Sequence, residues 1–599
     1  MPTRTLRWNM IDANRAGKAN GQRCSRRRPV GFPLAGTKGV PILHLEFTMI
    51  NTTSEHIVRH FREVLFWPVQ LMPLADGSSA QPHWKLLEQS GANNPWRRLK
   101  DRFQSEDLEF EERHYKEFVT FLPYVQRFIY GESHSRVSHV DDSPGMSAIK
   151  IFRRSGVSAL RLVLHEGDAP VTLAVEHIEL WFFDDINVAF LKMELSASDL
   201  PFDMAGDLLY RFGRAYPTGW DRDGQGKHNA YLAEWLSPDG SVLAASDTNN
   251  QEKFLSYTRR HRSPGISVHW DILLRPLVLD PSTEEGILRY RQIEYHRMPL
   301  MAFLAVDDPR SLSRESWLRL GLVATLHPDE AMPTRDPDVA EFEARYCYDR
   351  FWTDTDAGPN TRFLCTGRSF IVVGDAKGDY FRDKDRGILA QFRHQYVLLF
   401  MIAHFHRASL LVFSDRMVDA VHDLDIRVAQ SISRFRRRIY ANFESFLRFT
   451  HRYWFHELSE RPHVQALYRL CSEHLGNDAL YQEVKEELRD MSQYLDSNAQ
   501  RQQSTTIVRL TVVTVFSMVA AVVTGFFGMN LLALADQPLG SRVELFFIVT
   551  LITTVLMLIT LLYSKRISDV MDVLADDQKS LRVRLSMLGK AWKRNPNKL

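Results

Sequence analysis

The sequence predicts an α/β domain, then long stalk helices, then a two-helix transmembrane hairpin near the C-terminal end. Three observations predict it. Residues 510–535 form a run of 26 without a charge, and 545–563 a second run of 19. A helix rises about 1.5 Å per residue, so roughly 20 apolar residues cross the hydrocarbon core of a bilayer. Before these runs, 52–383 mixes short β-patterned and helical segments between Gly- and Pro-containing loops, and from Arg386 onward the pattern turns helical.

The segment between the spans is too short for a domain, so the spans form a hairpin. Its charges are Asp536, Arg542 and Glu544, whereas Arg501, Arg509, Lys565 and Arg566 flank the other ends. Positive charge therefore gathers on one side, which places both termini in the cytoplasm and the hairpin tip outside. The whole chain of 599 residues carries 75 Lys+Arg against 73 Asp+Glu, a net charge of +2 that makes no case for a nucleic-acid partner. Cys24, Cys347, Cys365 and Cys471 are scattered without a CxxC pair, so neither a zinc ribbon nor a disulfide framework is expected. No apolar run near the N-terminus predicts a signal peptide. No nucleotide-binding or hydrolase motif occurs, and His56 and His60 lack the glutamate of a metalloprotease helix. The chain is not expected to be an enzyme.

In order along the chain, 1–48 is a basic tail with Arg26, Arg27 and Arg28 at its densest point. It is read as disordered, with an organellar presequence or attraction to lipid headgroups as alternatives. In the α/β domain, 49–383, segments 56–69, 95–130 and 203–214 read as helical. Segments 147–152, 159–164, 300–306 and 362–373 read as strands, and 171–183 with 187–195 as a hairpin turning at Asp184 and Asp185. A helical region, 384–476, follows. Its apolar run 396–403 is too short to span a bilayer and should be buried in protein. A single helix is expected through 408–455. On it Asp415, Asp419, His422 and Asp423 share a face and form a candidate divalent-cation site; a solvated acidic face beside Arg416 and Arg427 is the alternative.

Asn477 and Asp478 can cap a helix that need not stop until Phe527. Such a stalk would run roughly 75 Å. Leu480, Val484, Leu488, Met491 and Leu495 make a seam on it, which packs either on copies of the chain or on the chain's own preceding helices. The first span and its turn complete the segment 477–534. An external loop (535–544), the second span (545–564) and a basic tail (565–599), read as an amphipathic helix, close the chain. One face of the first span is small or weakly polar: Thr514, Ser517, Met518, Ala521, Thr524, Gly525 and Gly528 lie within a narrow arc. Helix packing accounts for the alanine and glycines, and less well for the hydroxyls.

Gly528-Met529-Asn530 at the outer end of the penultimate span, preceded by a long stalk and followed by a short loop, a second span and basic residues, resembles the CorA family of magnesium channels. The motif-level resemblance covers about 478–566. It implies a funnel-like homopentamer in a lipid bilayer, with the first span lining the pore and Asn530 ringing its entrance. Gly525, Ala521, Met518, Thr514, Leu510 and Ile507 then line the pore inward, with Ser517 and Thr524 beside them. It implies Mg²⁺ uptake driven by the membrane potential, without ATP or a resident cofactor, in a bacterial plasma membrane or an organellar inner membrane. Phe527 stands where the family usually has Tyr, Val519 where many relatives have Pro, and the loop after the motif offers only Asp536 and Glu544 where many members carry an acidic cluster. Transport of Zn²⁺, Co²⁺ (cobalt) or Ni²⁺ by the same architecture, or a membrane-tethered sensor or scaffold, are the alternatives.

Overall fold

The computed structural model describes residues 56–73, 82–91, 94–99, 112–131, 147–183, 185–293, 297–324, 336–352, 360–422, 424–425, 428–528, 538–541, 543–549, 551–556 and 558–559. The basic tails 1–48 and 565–599 and the tripeptide's Met529 and Asn530 lie outside these residues.

The domain is built on one 15-stranded mixed sheet. Its main path runs, in spatial order, Cys347–Tyr348, Arg362–Cys365, Ser369–Asp375, Leu300–Val306, Ile57–Leu71, Val188–Ala197, Val171–Phe183, Ala159–Val163, Leu232–Leu236 and Val242–Ala245. Neighbours on this path are antiparallel, except that Leu300–Val306 pairs parallel with Ser369–Asp375. Strand Ile57–Leu71 sits in the middle. The expected hairpin is present: Val171–Phe183 pairs antiparallel with Val188–Ala197, and Asp185 in its turn takes a positive φ of 65°. The strands expected at 147–152, 159–164 and 300–306 and the helix at 203–214 also form, while 362–373 divides into two strands.

Side chains on the two faces of the sheet feed two cores. Phe61, Leu65, Trp67, Leu180, Leu191 and Leu304 belong to one, covered by helices Phe202–Arg211 and Val268–Leu274. Val64, Phe66, Trp181, Phe190, Phe303 and Phe370 belong to the other, closed by the apolar core helix Ile388–His422. That helix is long and apolar enough to cross a membrane, but most of it is buried in the protein, as expected for the run at 396–403. The helical region 384–476 thus shares a core with the sheet.

Three expectations are corrected. The segment 56–69 is a strand, not a helix. Being central, it buries both faces, so its apolar residues fill consecutive positions instead of alternating. Residues 95–130 are not one helix: strand Trp96–Arg98 comes first, and helices Glu112–Phe118 and Pro123–Tyr130 follow. Residues 408–455 are two helices. The core helix ends at His422 and a second helix runs Ala429–Arg452. Between them the Ser431 hydroxyl accepts from the Asp425 backbone N–H at 2.8 Å, and the chain reverses.

Candidate functional site

The helix Pro462–Leu475 stops at Gly476, whose φ of 68° is a left-handed cap. The next residue opens the stalk helix, Asn477–Gly528, 52 residues long and roughly 78 Å at the usual rise. Asn477 is fully buried and its side-chain amide donates to the carbonyl of Ala403 in the core helix at 2.9 Å, which fixes the base of the stalk on the domain.

The lower stalk spends its seam inside the chain. Val484 and Leu488 join the core beneath the sheet, and Leu495 packs with Ala420, Phe435 and Ile439. Tyr481 stacks on Trp454 at 4.5 Å between centroids and on Phe446 at 5.6 Å. Of the two packings open to the seam, the one on the chain's own helices is present.

Above this contact the environment inverts. Ile507, Leu510 and Met518 are 56%, 67% and 68% exposed, and Thr514, Ala521, Gly525 and Gly528 are exposed beside them. Ser517 and Thr524 are half-buried. Val512, on the opposite side of the helix at 100° per residue, is buried. The hydroxyl of Thr514 donates to the carbonyl of Leu510 at 2.8 Å, and that of Thr524 to Ala520 and Ala521 at 3.0 Å. With its proton committed to the helix, each hydroxyl keeps oxygen lone pairs as acceptors. A Cβ at Gly525 or Gly528 would meet no described atom within 4 Å, so packing within this chain does not require glycine there. The structure thus places all eight predicted lining positions and Gly528 along the upper part of one continuous helix.

The second apolar helix is Leu539–Leu556, long and apolar enough to cross a membrane and not buried in the protein. It begins at Leu539, so the loop expected at 535–544 gives up its second half to the helix. The backbone N–H and hydroxyl of Ser541 both donate to the Pro538 carbonyl in its first turn.

The candidate cation site divides. Asp415 accepts weakly from the Gln70 amide at 3.3 Å, Asp419 and His422 are exposed at the end of the core helix, and Asp423 lies outside the described residues. Among the described residues no group of three or more His, Cys, Asp or Glu is placed to hold a metal ion.

Sequence reasoning missed a buried charge network on the sheet face beneath the core helix. Glu194, 1% exposed, accepts from Arg393 at 2.8 Å and Arg62 at 2.5 Å, and His177 lies 3.4 Å away. Burial works to raise the Glu194 carboxyl, but His177, Lys192, Arg393 and Arg62 together hold it below its ordinary value. Burial and the charge of Lys192 push His177 down to about 4. Arg393 belongs to a π-helical turn, Phe392–Tyr396, and Glu176, which Arg62 also meets at 3.2 Å, lies at a bulge between Val175 and His177. Alternate charged residues in apolar strands were the available signal.

Two comparisons bear on this arrangement. Residues 412–566 match the family model described as CorA-like Mg²⁺ transporter protein, about a quarter of the chain. The match opens within the core helix and takes in helix Ala429–Arg452, the whole stalk, the Gly528-Met529-Asn530 tripeptide and the second apolar helix; the sheet lies outside it. No curated protein matches the chain.

Proposed function

From a chain that carries a CorA-like Mg²⁺ transporter domain at residues 412–566, an uncharged upper stalk from Leu510 to Gly528 and a second apolar helix, Leu539–Leu556, we infer a potential-driven divalent-cation channel that takes up Mg²⁺ through a homopentameric pore. The observation that carries this reading is the change of environment along one helix. Below residue 500 Tyr481, Val484, Leu488 and Leu495 are buried in the chain; above it an uncharged face of hydroxyls, glycines and apolar side chains is left exposed. A tether for a sensor or scaffold has no use for such a face, whereas copies of the helix around an axis would give it one.

Mg²⁺ sheds water reluctantly and keeps several of its waters when bound. Asn530 at the mouth supplies neutral oxygens that accept hydrogen bonds from that water shell. Thr514 and Thr524, their protons already given to backbone carbonyls, offer the same kind of oxygen further in. Leu510 and Met518 form apolar girdles able to close by dewetting. A divalent ion crossing the full field gains roughly 4.6 kcal/mol per 100 mV, which drives inward movement without ATP. This places the protein in a bacterial plasma membrane or an organellar inner membrane with both termini on the negative side. The test is Asn530→Ala in liposomes loaded with a Mg²⁺-sensitive dye. A fall of about tenfold or more in initial uptake is expected, and unchanged uptake would remove the tripeptide from the mechanism. Competition by Zn²⁺, Co²⁺ and Ni²⁺ in the same assay ranks the ions.

A further inference from the structure

The stalk and the helix beside it carry opposite charges on separate faces. On the stalk, Glu483, Glu486, Glu487 and Asp490 are exposed and fall within an arc of about 100°, turned about 130° from the buried side of Val484, Leu488 and Leu495. Among the described residues none of the four has an ion-pair partner. Burial, and after it the charge of Glu483 one turn away, hold the Glu487 carboxyl above its ordinary value. Tyr494, an exposed aromatic, continues the same face upward.

Helix Ala429–Arg452 buries Phe435, Ile439, Phe446 and Phe449, and its outer face carries Arg434, Arg437, Arg438, Arg448 and Arg452. Arg448 and Arg452 reach Asp185 at 3.6 and 2.8 Å. Arg434 and Arg437 are exposed and meet no carboxylate among the described residues, and Arg438 donates to the Asp419 carbonyl at a long 3.4 Å. The exposed Tyr440 and Leu447 border this face.

The two faces stand at nearly one height. Phe435 packs with Leu495 while Phe446 stacks on Tyr481, so the helices are antiparallel: Arg434, Arg437 and Arg438 stand at and above the upper end of the acidic stripe, Arg448 and Arg452 below its lower end, and Glu444, paired with Arg448 at 2.7 Å, lies between them. Within one chain the faces cannot meet: the arginine helix covers the buried side of the stalk and the carboxylates lie round the other side. A rotation about an axis along the stalk keeps height and brings one face of a copy against the other face of the next. That is the head-to-tail contact that closes a ring.

We propose that the arginine face of helix Ala429–Arg452 docks on the Glu483–Asp490 stripe of the neighbouring copy's stalk, and that this charge pairing holds the ring together below the membrane. The inference rests on the oligomeric pore proposed above and names the surface that builds it. Charges of opposite sign guide encounter and fix register, with Tyr440, Leu447 and Tyr494 supplying the apolar part of the contact.

The test is a charge swap in the full chain in detergent, read as particle mass by light scattering over a dilution series. Arg434→Glu, Arg437→Glu and Arg438→Glu together, or Glu483→Arg, Glu486→Arg and Asp490→Arg together, should each move the dissociation midpoint up by at least about tenfold. The two sets combined should return it to within about threefold of the wild type, which also shows that the chain tolerates the substitutions. A wild-type oligomer that neither set disturbs, or a combined chain that associates no better than the weaker set, would overturn the inference and leave the pore reading standing. So would an undisturbed oligomer whose arginine variant loses binding to phosphatidylserine vesicles, which would assign the arginines to lipid. A wild-type chain that is monomeric throughout would overturn both readings.

Discussion

Glu63 stands at the centre of the sheet, opposite Leu195 on one neighbouring strand and Ala302 on the other, and is 0% exposed. Neither carboxyl oxygen has a hydrogen-bond partner among the described residues. Burial pushes its carboxyl up to about 8, against which the charge of Arg297 acts only in part. The unfolded chain releases this proton near the ordinary carboxylate value; the folded chain keeps it until about 8. Between those values the folded state binds the extra proton, so stability falls as pH rises. Glu63→Gln, which needs no ionisation, should be more stable than the wild type at pH 8 by on the order of 3 kcal/mol and nearly equal to it at pH 5. Urea melts at the two pH values check this; an equal difference at both would show that Glu63 is not protonated in the fold. Its neighbour Arg62, pointing to the other face, is paired with Glu194 and Glu176.

At the scale of the element, the stalk helix separates stability from transport along its own length. Leu488 is 1% exposed and Leu510 is 67% exposed. Leu488→Ala should cost roughly 2–5 kcal/mol by opening a cavity in the core beneath the sheet. Leu510→Ala should leave the denaturation midpoint nearly unchanged while altering Mg²⁺ flux, because its side chain meets little of its own chain. Melts and liposome flux on the pair check this, and equal destabilisation by both would show that the two halves of the helix do not differ. This helix was legible in the sequence, since no proline interrupts 463–537 and the apolar spacing changes character at the membrane. The strand Ile57–Leu71 was not. It borders strands on both sides and cores on both faces, so consecutive apolar residues mimic a helical pattern, and only Pro68, which a helix interior tolerates poorly, pointed the other way. The break near 423–428 has no Gly or Pro to announce it and depends on a serine hydroxyl reaching back across the turn.

For the whole molecule, the pattern that crosses the membrane was written in single residues, whereas the buried network of Arg62, Glu194 and Arg393 was not. A hydroxyl face on one helix needs only helical periodicity to be seen. Arg62 and Arg393 converge on Glu194 only because a strand and a π-helical turn, far apart in the chain, are brought together by the fold. The same limit applies to the opposed charge faces of the stalk and its neighbour helix, which become complementary only once the antiparallel packing of the two is known. On the function proposed above, copies of the stalk's upper half enclose a path for a hydrated divalent ion. The most direct measurement is Mg²⁺ entry into liposomes holding Thr514→Cys protein under a set, inside-negative potential, before and after a charged thiol reagent. Entry that grows with the potential and stops on modification is expected. Entry indifferent to both, or no entry at any potential, would contradict it.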